Sequence, residues 1–459
     1  MHTVQLQPFG ATPSPRQRAW HALEFYGFLH FTVNTFTDRE WGLGNETPDT
    51  FNPSAFDAQQ IVESAKLGGM RGLILTAKHH DGFCLWPSRY TAHSVASSAW
   101  RNGQGDVVRE IAHACADAGL KFGIYLSPWD RNHAEYGRSA YLTYYRQQLR
   151  ELLSEYGPLF EVWFDGANGG DGYYGGANEV RKIDAKTYYE WEQTLAIVRE
   201  LQPDAVIFSD AGPDVRWVGN EKGIAGDPCW STIDTTNLYP GLADPAYLNR
   251  GERHGPQWLP AECDVSIRPG WFYHQHEDDK VRTPENLMEL YFASVGRGAN
   301  LLVNLPVDLR GQVHELDRAA LIAFNTQRQQ LFATNLVHHA TVTVSSRYHV
   351  NLGSQTLTDN NPDTYWAPAA IDSSPYITVR FAQPTTIHVI DIREYLPLGQ
   401  RVDAFVVDAE TPSGWQQIIS AQSIGNRRLI RCHGITTTAV RIQITQSSVL
   451  PAIQSLGIY

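Results

Sequence analysis

The sequence predicts an α/β domain followed by an all-β one: a (β/α)8-like barrel over residues 1–338, then a C-terminal β-sandwich over residues 339–459. Three observations carry this. About eight short, continuous apolar runs alternate with longer amphipathic segments as far as residue 335 or so. Such runs fit strands buried on both faces, as in a parallel sheet with helical crossovers. After about residue 338 the texture becomes short, β-branched and partly alternating, broken by Pro, Gly, Asn and Asp clusters, which is the signature of stacked antiparallel strands. Finally, polar and aromatic residues crowd the ends of the apolar runs, where a barrel of this kind gathers its functional groups.

In order, the expected barrel strands are GFLHF (27–31), LILTA (73–77), FGIYL (122–126), EVWF (161–164), AVIF (205–208), a less clear LPAE (259–262), GWFY (270–273) and LLVN (301–304). Helical patterns such as DVVREIAHACADAGL and TYYEWEQTLAIVRELQP lie between most of them, the latter stopped by Pro203. The second half of the barrel reads as less regular than the first. A short linker near residues 337–340 leads to the sandwich segments TVTVSS, YITVRF, TIHVIDIRE, RVDAFVVDA, WQQIIS and AVRIQITQ.

Composition limits the function classes. With 42% hydrophobic and 19% charged residues the chain is globular, and its formal charge of −12 without a long basic run argues against nucleic acid or an anionic membrane as partner. A neutral substrate fits better. Cys84, Cys115, Cys229, Cys263 and Cys432 show no CxxC or zinc-like spacing, so reduced thiols are expected. No apolar leader opens the sequence, which reads as cytoplasmic, or as periplasmic or secreted after loss of a signal peptide. Oligomeric state is not encoded in any pattern found.

The strand ends supply His30 with Glu40 and Trp41 in the following loop; Lys78, His79, His80 and Asp81; Tyr125, Ser127, Trp129 and Asp130; Asp165; Asp210, Asp214, Arg216 and Glu221; and Glu262, Asp264, Arg268 and Trp271. Strand geometry would turn His79 and His80 to different sides, one toward the barrel mouth and one supporting it. Two histidines with Asp81 raise the possibility of a metal, but no HxH or HxxxH pair stands at a strand end, and no metal or cofactor is expected. Asp165, between EVWF and a glycine, suits a nucleophile of fixed geometry and equally a helix cap or ion-pair partner. Two carboxylates at one barrel mouth, surrounded by Trp, His and Arg, meet the needs of a retaining glycosidase, whose carboxyl groups stand about 5–5.5 Å apart.

HFTVNTFTDREWG, LTAKHHDGFCLWPSRYTAHSV, EVWFDGANG, GPDVRWVGNEKG, ECDVSIRPGWFYH and GRGANLLVNLPVDLRG, in order from about residue 20 to 315, together resemble the α-L-fucosidases of glycoside hydrolase family 29. The resemblance implies a retaining exo-fucosidase with a fucosylated oligosaccharide or glycan as partner. It implies Asp165 as nucleophile and, by likeness to the subgroup acting on α-1,3 and α-1,4 linkages, Glu221 as acid/base. It places His30, Glu40, Trp41, His79 and His80 around the fucose, with Trp129 and Arg216 nearby. Glu262 and Asp264 would accept hydrogen bonds from a neighbouring galactose, Trp271 giving it an apolar face, or else both would partner Arg268. A broad-specificity fucosidase, a non-catalytic fucose-binding protein and a metal-dependent hydrolase are the alternatives. LTDNNPDTYWAP (357–368) is similar to discoidin-like domains.

Overall fold

A computed structural model describes residues 6–459. Eight parallel strands close a barrel: β1 (Phe25–Leu29), β2 (Gly72–Lys78), β3 (Lys121–Leu126), β4 (Glu161–Trp163), β5 (Val206–Ser209), β6 (Val215–Trp217), β7 (Ala261–Ser266) and β8 (Asn300–Asn304). Closure is made by β1 against β8, with Phe25 opposite Leu301 and Phe28 opposite Asn304. The helices between strands start and stop where local chemistry dictates. In Val107–Ala118, Asp106 accepts the Arg109 N–H at the start, and Gly119, at φ 74°, ends it in the left-handed region that favours glycine.

The first half of the barrel follows the sequence reading closely and the second half departs from it. GWFY is not a strand. Its Trp271 and Phe272 N–H groups bond to the Glu40 carboxylate, not to a neighbouring strand. The missing strand is β6, inside DVRW: three residues long, it offers no apolar run, because the alternation sends Val215 into the barrel and Arg216 out of it. No helix separates β5 from β6, whereas a long excursion with a short helix (Pro245–Arg250) separates β6 from β7.

Aromatic residues fill the barrel interior, among them Tyr26, Phe28, Tyr125, Trp163 and Phe208. Trp163 stacks on Phe208 with ring centres 4.0 Å apart. Beneath Trp163 lie two fully buried carboxylates. Glu161 accepts from the Trp20 indole at 3.0 Å, and Glu262 accepts from the Trp163 indole at 2.8 Å and from the Tyr26 hydroxyl. Burial pushes both upward, Glu262 to about 7, which favours a proton shared at the floor.

The second domain is antiparallel, with strands β9 (Thr341–Val344), β10 (Tyr376–Glu394), β11 (Val402–Thr411), β12 (Gly414–Gln422), β13 (Arg428–Ser447) and β14 (Ile453–Ile458). They run in the order β9-β10-β13-β11-β12, and β14 pairs with β10. Irregular registers along the long strands β10 and β13 let the sheet bend round its own apolar core.

Between the domains, Arg427 donates to Glu24 (2.8 Å), Asp391 (2.7 Å) and the Tyr291 hydroxyl (2.7 Å), and Arg393 lies 2.7 Å from Glu24. Burial would raise the Glu24 carboxyl, but the two guanidinium groups outweigh it and hold the acid down at about 2. All five cysteines are buried and unpaired, as their spacing suggested. Among the described residues, no helix is long and apolar enough to cross a membrane.

Candidate active site

The C-terminal ends of the strands surround a cavity of about 110 Å3 lined by Phe28, His30, Trp41, His79, His80, Tyr125, Trp163, Asp165, Ala167, Glu221, Asp264 and Trp271. This is well below the roughly 300–1,000 Å3 of pockets that hold drug-sized ligands. The cavity is cut for one small ring.

β1 aims alternate residues inward, so Tyr26 and Phe28 lead up to His30. The Asn304 amide donates to Ser266 Oγ (2.9 Å) and to the Trp271 carbonyl (2.8 Å), so its oxygen, 2.8 Å from His30 Nδ1, must accept a proton held there. His30 Nε2 is thereby left as an acceptor. The same logic fixes His80: Ser127 Oγ donates to the Trp129 carbonyl at 2.6 Å and so accepts from Nδ1 at 2.7 Å. His80 Nε2, 3.8 Å from Asp165 Oδ2, carries a lone pair, and the two do not form an ion pair. Burial holds His30 and His80 at about 3 and His79 well below its usual range, so all three rings are neutral near pH 7. His79 and His80 both line the cavity, contrary to the expected division of sides, because β2 ends at Lys78 and its alternation stops there.

Asp165 stands two residues past the end of β4. Its Oδ2 accepts from the Tyr125 hydroxyl at 2.9 Å and its Oδ1 from the Ala167 N–H at 2.7 Å. Burial raises the acid while these two donors favour the carboxylate, which keeps about a quarter of its side-chain surface open. Gly166 is required here for space: a Cβ would stand 2.2 Å from Asp210 Oδ2.

Glu221 comes from the loop after β6, between Gly219 and Gly223, both at positive φ. Its Oε2 accepts from the Trp271 indole at 3.2 Å. Although partly open to solvent, its acid is raised, by partial desolvation first and by the charges of Asp165 and Glu40 to a lesser degree, against the opposing indole donor. Asp264, buried on β7, accepts from the Trp217 indole at 2.9 Å; burial, then the charges of Glu221 and Glu262, push it far toward its protonated form.

The remaining expected residues fall outside the cavity wall. Glu40 spends both oxygens on the Trp271 and Phe272 N–H groups and on His274. Trp129 is buried, its indole bonded to the Tyr174 hydroxyl and its ring backing His80 and Trp41. The expected sugar contacts of Arg216 and Glu262 do not fit this geometry. Arg216 points out of the barrel to the carbonyls of Leu248, Leu259 and Trp230. Glu262 lies one pleat deeper on β7 than Asp264, below Trp163. Neither it nor Asp264 partners Arg268, which binds Asp317 and Asp278 instead. Asp214, bound to Arg199 and the Ile207 N–H, is likewise remote.

Sequence reading did not single out Phe28, Trp163, Ala167 or Arg131. For Phe28 and Trp163 the signal was present, since each lies an even step before a functional residue or floor position on an inward face. Arg131 donates to the carbonyls of Trp41, Gly42 and Asp171, and so ties the loop after β1 to the insert after Asp165. That insert folds as a hairpin of Gly170–Gly172 with Glu179–Arg181 at the cavity's flank. Among the described residues, one trio of metal-type donors lies close together, Asp38, His274 and His276. It is outside the cavity, and both His274 nitrogens are already occupied by carboxylates.

Comparison with known proteins gives a consistent picture. A model of the Alpha-L-fucosidase family matches residues 11–326, and one of the F5/8 type C domain matches residues 341–455. The chain is 41% identical to Alpha-L-fucosidase 1 of Arabidopsis thaliana over 459 residues, 98% of this chain and 88% of that one. A glycoside hydrolase 29 family member from an unknown rumen bacterium superimposes with a TM-score of 0.90 at 42% identity, covering 99% of this chain and 78% of that one. A glycoside hydrolase 29 fucosidase of Ruminococcus gnavus, solved in complex with fucose, does so at 0.89 and 31%, covering 100% and 96%.

Proposed function

The chain belongs to the α-L-fucosidases of glycoside hydrolase family 29, a retaining family, and on that footing we propose that it releases α-1,3- or α-1,4-linked fucose from the ends of Lewis-type glycans, with Asp165 as nucleophile and Glu221 as acid and then base. The observation that carries the reading is the convergence of both carboxylates and three neutral histidines on one cavity the size of a single ring. Neutral imidazoles with free acceptor nitrogens suit sugar hydroxyls and leave the Asp165 charge uncompensated by a cation.

In the first step Asp165 attacks the anomeric carbon as the glycosidic C–O bond breaks, and Glu221 gives its proton to the departing oxygen. Water then enters, loses a proton to Glu221 and displaces Asp165. Tyr125 and the Ala167 N–H favour the ionised nucleophile and aim it, whereas partial desolvation and the nearby Asp165 charge raise the Glu221 acid toward the protonated form that the first step uses.

The linkage preference is supported by the VGNEKG and ECDVSIRPGWFYH segments and by the place of Asp264 and Trp271 beside Glu221. Asp264 can bond a galactose hydroxyl while Trp271 covers a ring face; Glu262 has no part in this. The test is a rate comparison. Lewis-type trisaccharides should be cleaved far faster than α-1,2-linked 2′-fucosyllactose, and equal rates would favour broad specificity.

A further inference from the structure

Glu221 is held from one side by an indole, and that indole sits on a loop with no strand partner. Residues 268–274 leave β7 and cross the mouth of the barrel, and their shape at Trp271 is set by a carboxylate. Glu40 takes the Trp271 N–H on Oε2 at 2.8 Å and the Phe272 N–H on Oε1 at 3.0 Å. Oε1 also meets His274 Nε2 at 2.8 Å, while His274 Nδ1 meets Asp38 Oδ1 at 2.5 Å. A ring between two carboxylates bonds both only when both nitrogens carry protons.

We propose that His274 is a positioning residue for the acid/base group: by pinning Glu40 it fixes the backbone at Trp271, and through it the indole that donates to Glu221. The proposal rests on the assignment of Glu221 made above.

The packing around the ring supports this. A Cβ on Gly270 would meet Glu40 Oε1 at 2.7 Å and the His274 ring at 2.9 Å, so the loop closes down on the pair as far as a glycine allows. The charged and titratable groups facing the ring are Asp38 and Glu40 from the loop after β1, His276 with its ring centre 5.3 Å away, and Glu277, whose Oε2 takes the Gly270 N–H. Arg268 approaches the His274 carbonyl at 3.5 Å but is committed to Asp317 and Asp278. Without the imidazolium, Asp38, Glu40 and Glu277 would face one another with little compensation. The two carboxylates accordingly outweigh burial and raise the His274 ring above its ordinary range. A loosened Trp271 would withdraw a donor that stabilises the Glu221 carboxylate, so its acid would rise further.

The experiment compares pH–rate profiles of the wild type with those of His274→Ala, Asp38→Asn, Trp271→Phe and the His274→Ala/Trp271→Phe pair, on a Lewis-type trisaccharide and on 4-nitrophenyl α-L-fucoside. His274→Ala should slow the trisaccharide about tenfold, as small misplacements near the reacting centre do, and the activated fucoside far less. The alkaline limb of kcat/KM should move upward. Asp38 is exposed, so Asp38→Asn should fold normally and show the same changes in smaller measure. Trp271→Phe should shift the limb in the same direction, with nothing added in the pair. Equal slowing of both substrates with an unmoved limb, or additive shifts in the pair, would overturn the proposal. Glu221→Ala separates the two levels: if it spares the activated fucoside and His274→Ala does not, only the clamp fails. If Glu221→Ala slows both substrates alike, the assignment of the acid falls and the clamp with it.

Discussion

β1–β4 and β5–β8 close one barrel but hand the cavity different kinds of residue. From the first half come His30, His79, His80, Tyr125 and Asp165, each on a strand or within two residues of its end and all but Asp165 buried, with Trp41 an exposed exception on the loop after β1. The second half supplies Asp264 from β7 itself, but Glu221 and Trp271 from loops, where Glu221 is exposed. On the proposed assignment, the histidines that would surround the sugar are built on rigid strand ends, while the groups that would meet the leaving group ride on segments held by a few polar contacts. Recognition of an unvarying ring wants the former, and accommodation of a varied leaving group tolerates the latter.

That division can be broken from either side. The largest effect belongs to the first half: Asp165→Ala should lower kcat more than about a thousandfold, and azide should restore part of it as β-fucosyl azide, detectable by NMR. A variant with near wild-type turnover would refute the nucleophile. In the second half the loss should depend on the leaving group. Glu221→Ala should cost about 10²–10⁴-fold on a trisaccharide and much less on a fucosyl fluoride, measured by initial rates; Asp210, raised to about 6 beside Asp165, is the next candidate acid if both substrates suffer alike. The smallest effect is expected at Asp264. Because burial holds it toward the neutral acid, its hydrogen bond to a galactose hydroxyl is worth about 1 kcal/mol. Asp264→Ala should therefore narrow the ratio of trisaccharide to 2′-fucosyllactose rates only about fivefold, and an unchanged ratio would place galactose elsewhere.

The same contrast explains what could be read in the sequence. Asp165 and the histidines were legible because a strand end followed by glycine or by a run of polar residues limits where side chains can go. Glu221 was not, since a carboxylate on a glycine-flanked loop is ordinarily solvated, and only its motif's resemblance marked it out. Arg216 and Glu262 were placed at the site by their position near expected strand ends and by the resemblance of their segments. The pleat decides otherwise: Arg216 alternates outward between Val215 and Trp217, and Glu262 faces inward but two residues too deep. β6 escaped notice because three residues around a buried arginine carry no apolar run. GWFY imitated a strand because an aromatic wall and a core strand share a composition.

The seam at Glu24 bears on how the molecule can be divided. Glu24 belongs to the barrel, yet both guanidinium groups that keep it ionised, Arg393 and Arg427, belong to the sandwich. A chain ended at residue 338 would lose both guanidinium groups, leaving the carboxylate with the Tyr291 hydroxyl and the lesser charge of Arg71, and would open the base of β1 to water. The sandwich thus serves as part of the barrel's wall: it covers the base of β1, the strand whose far end carries His30.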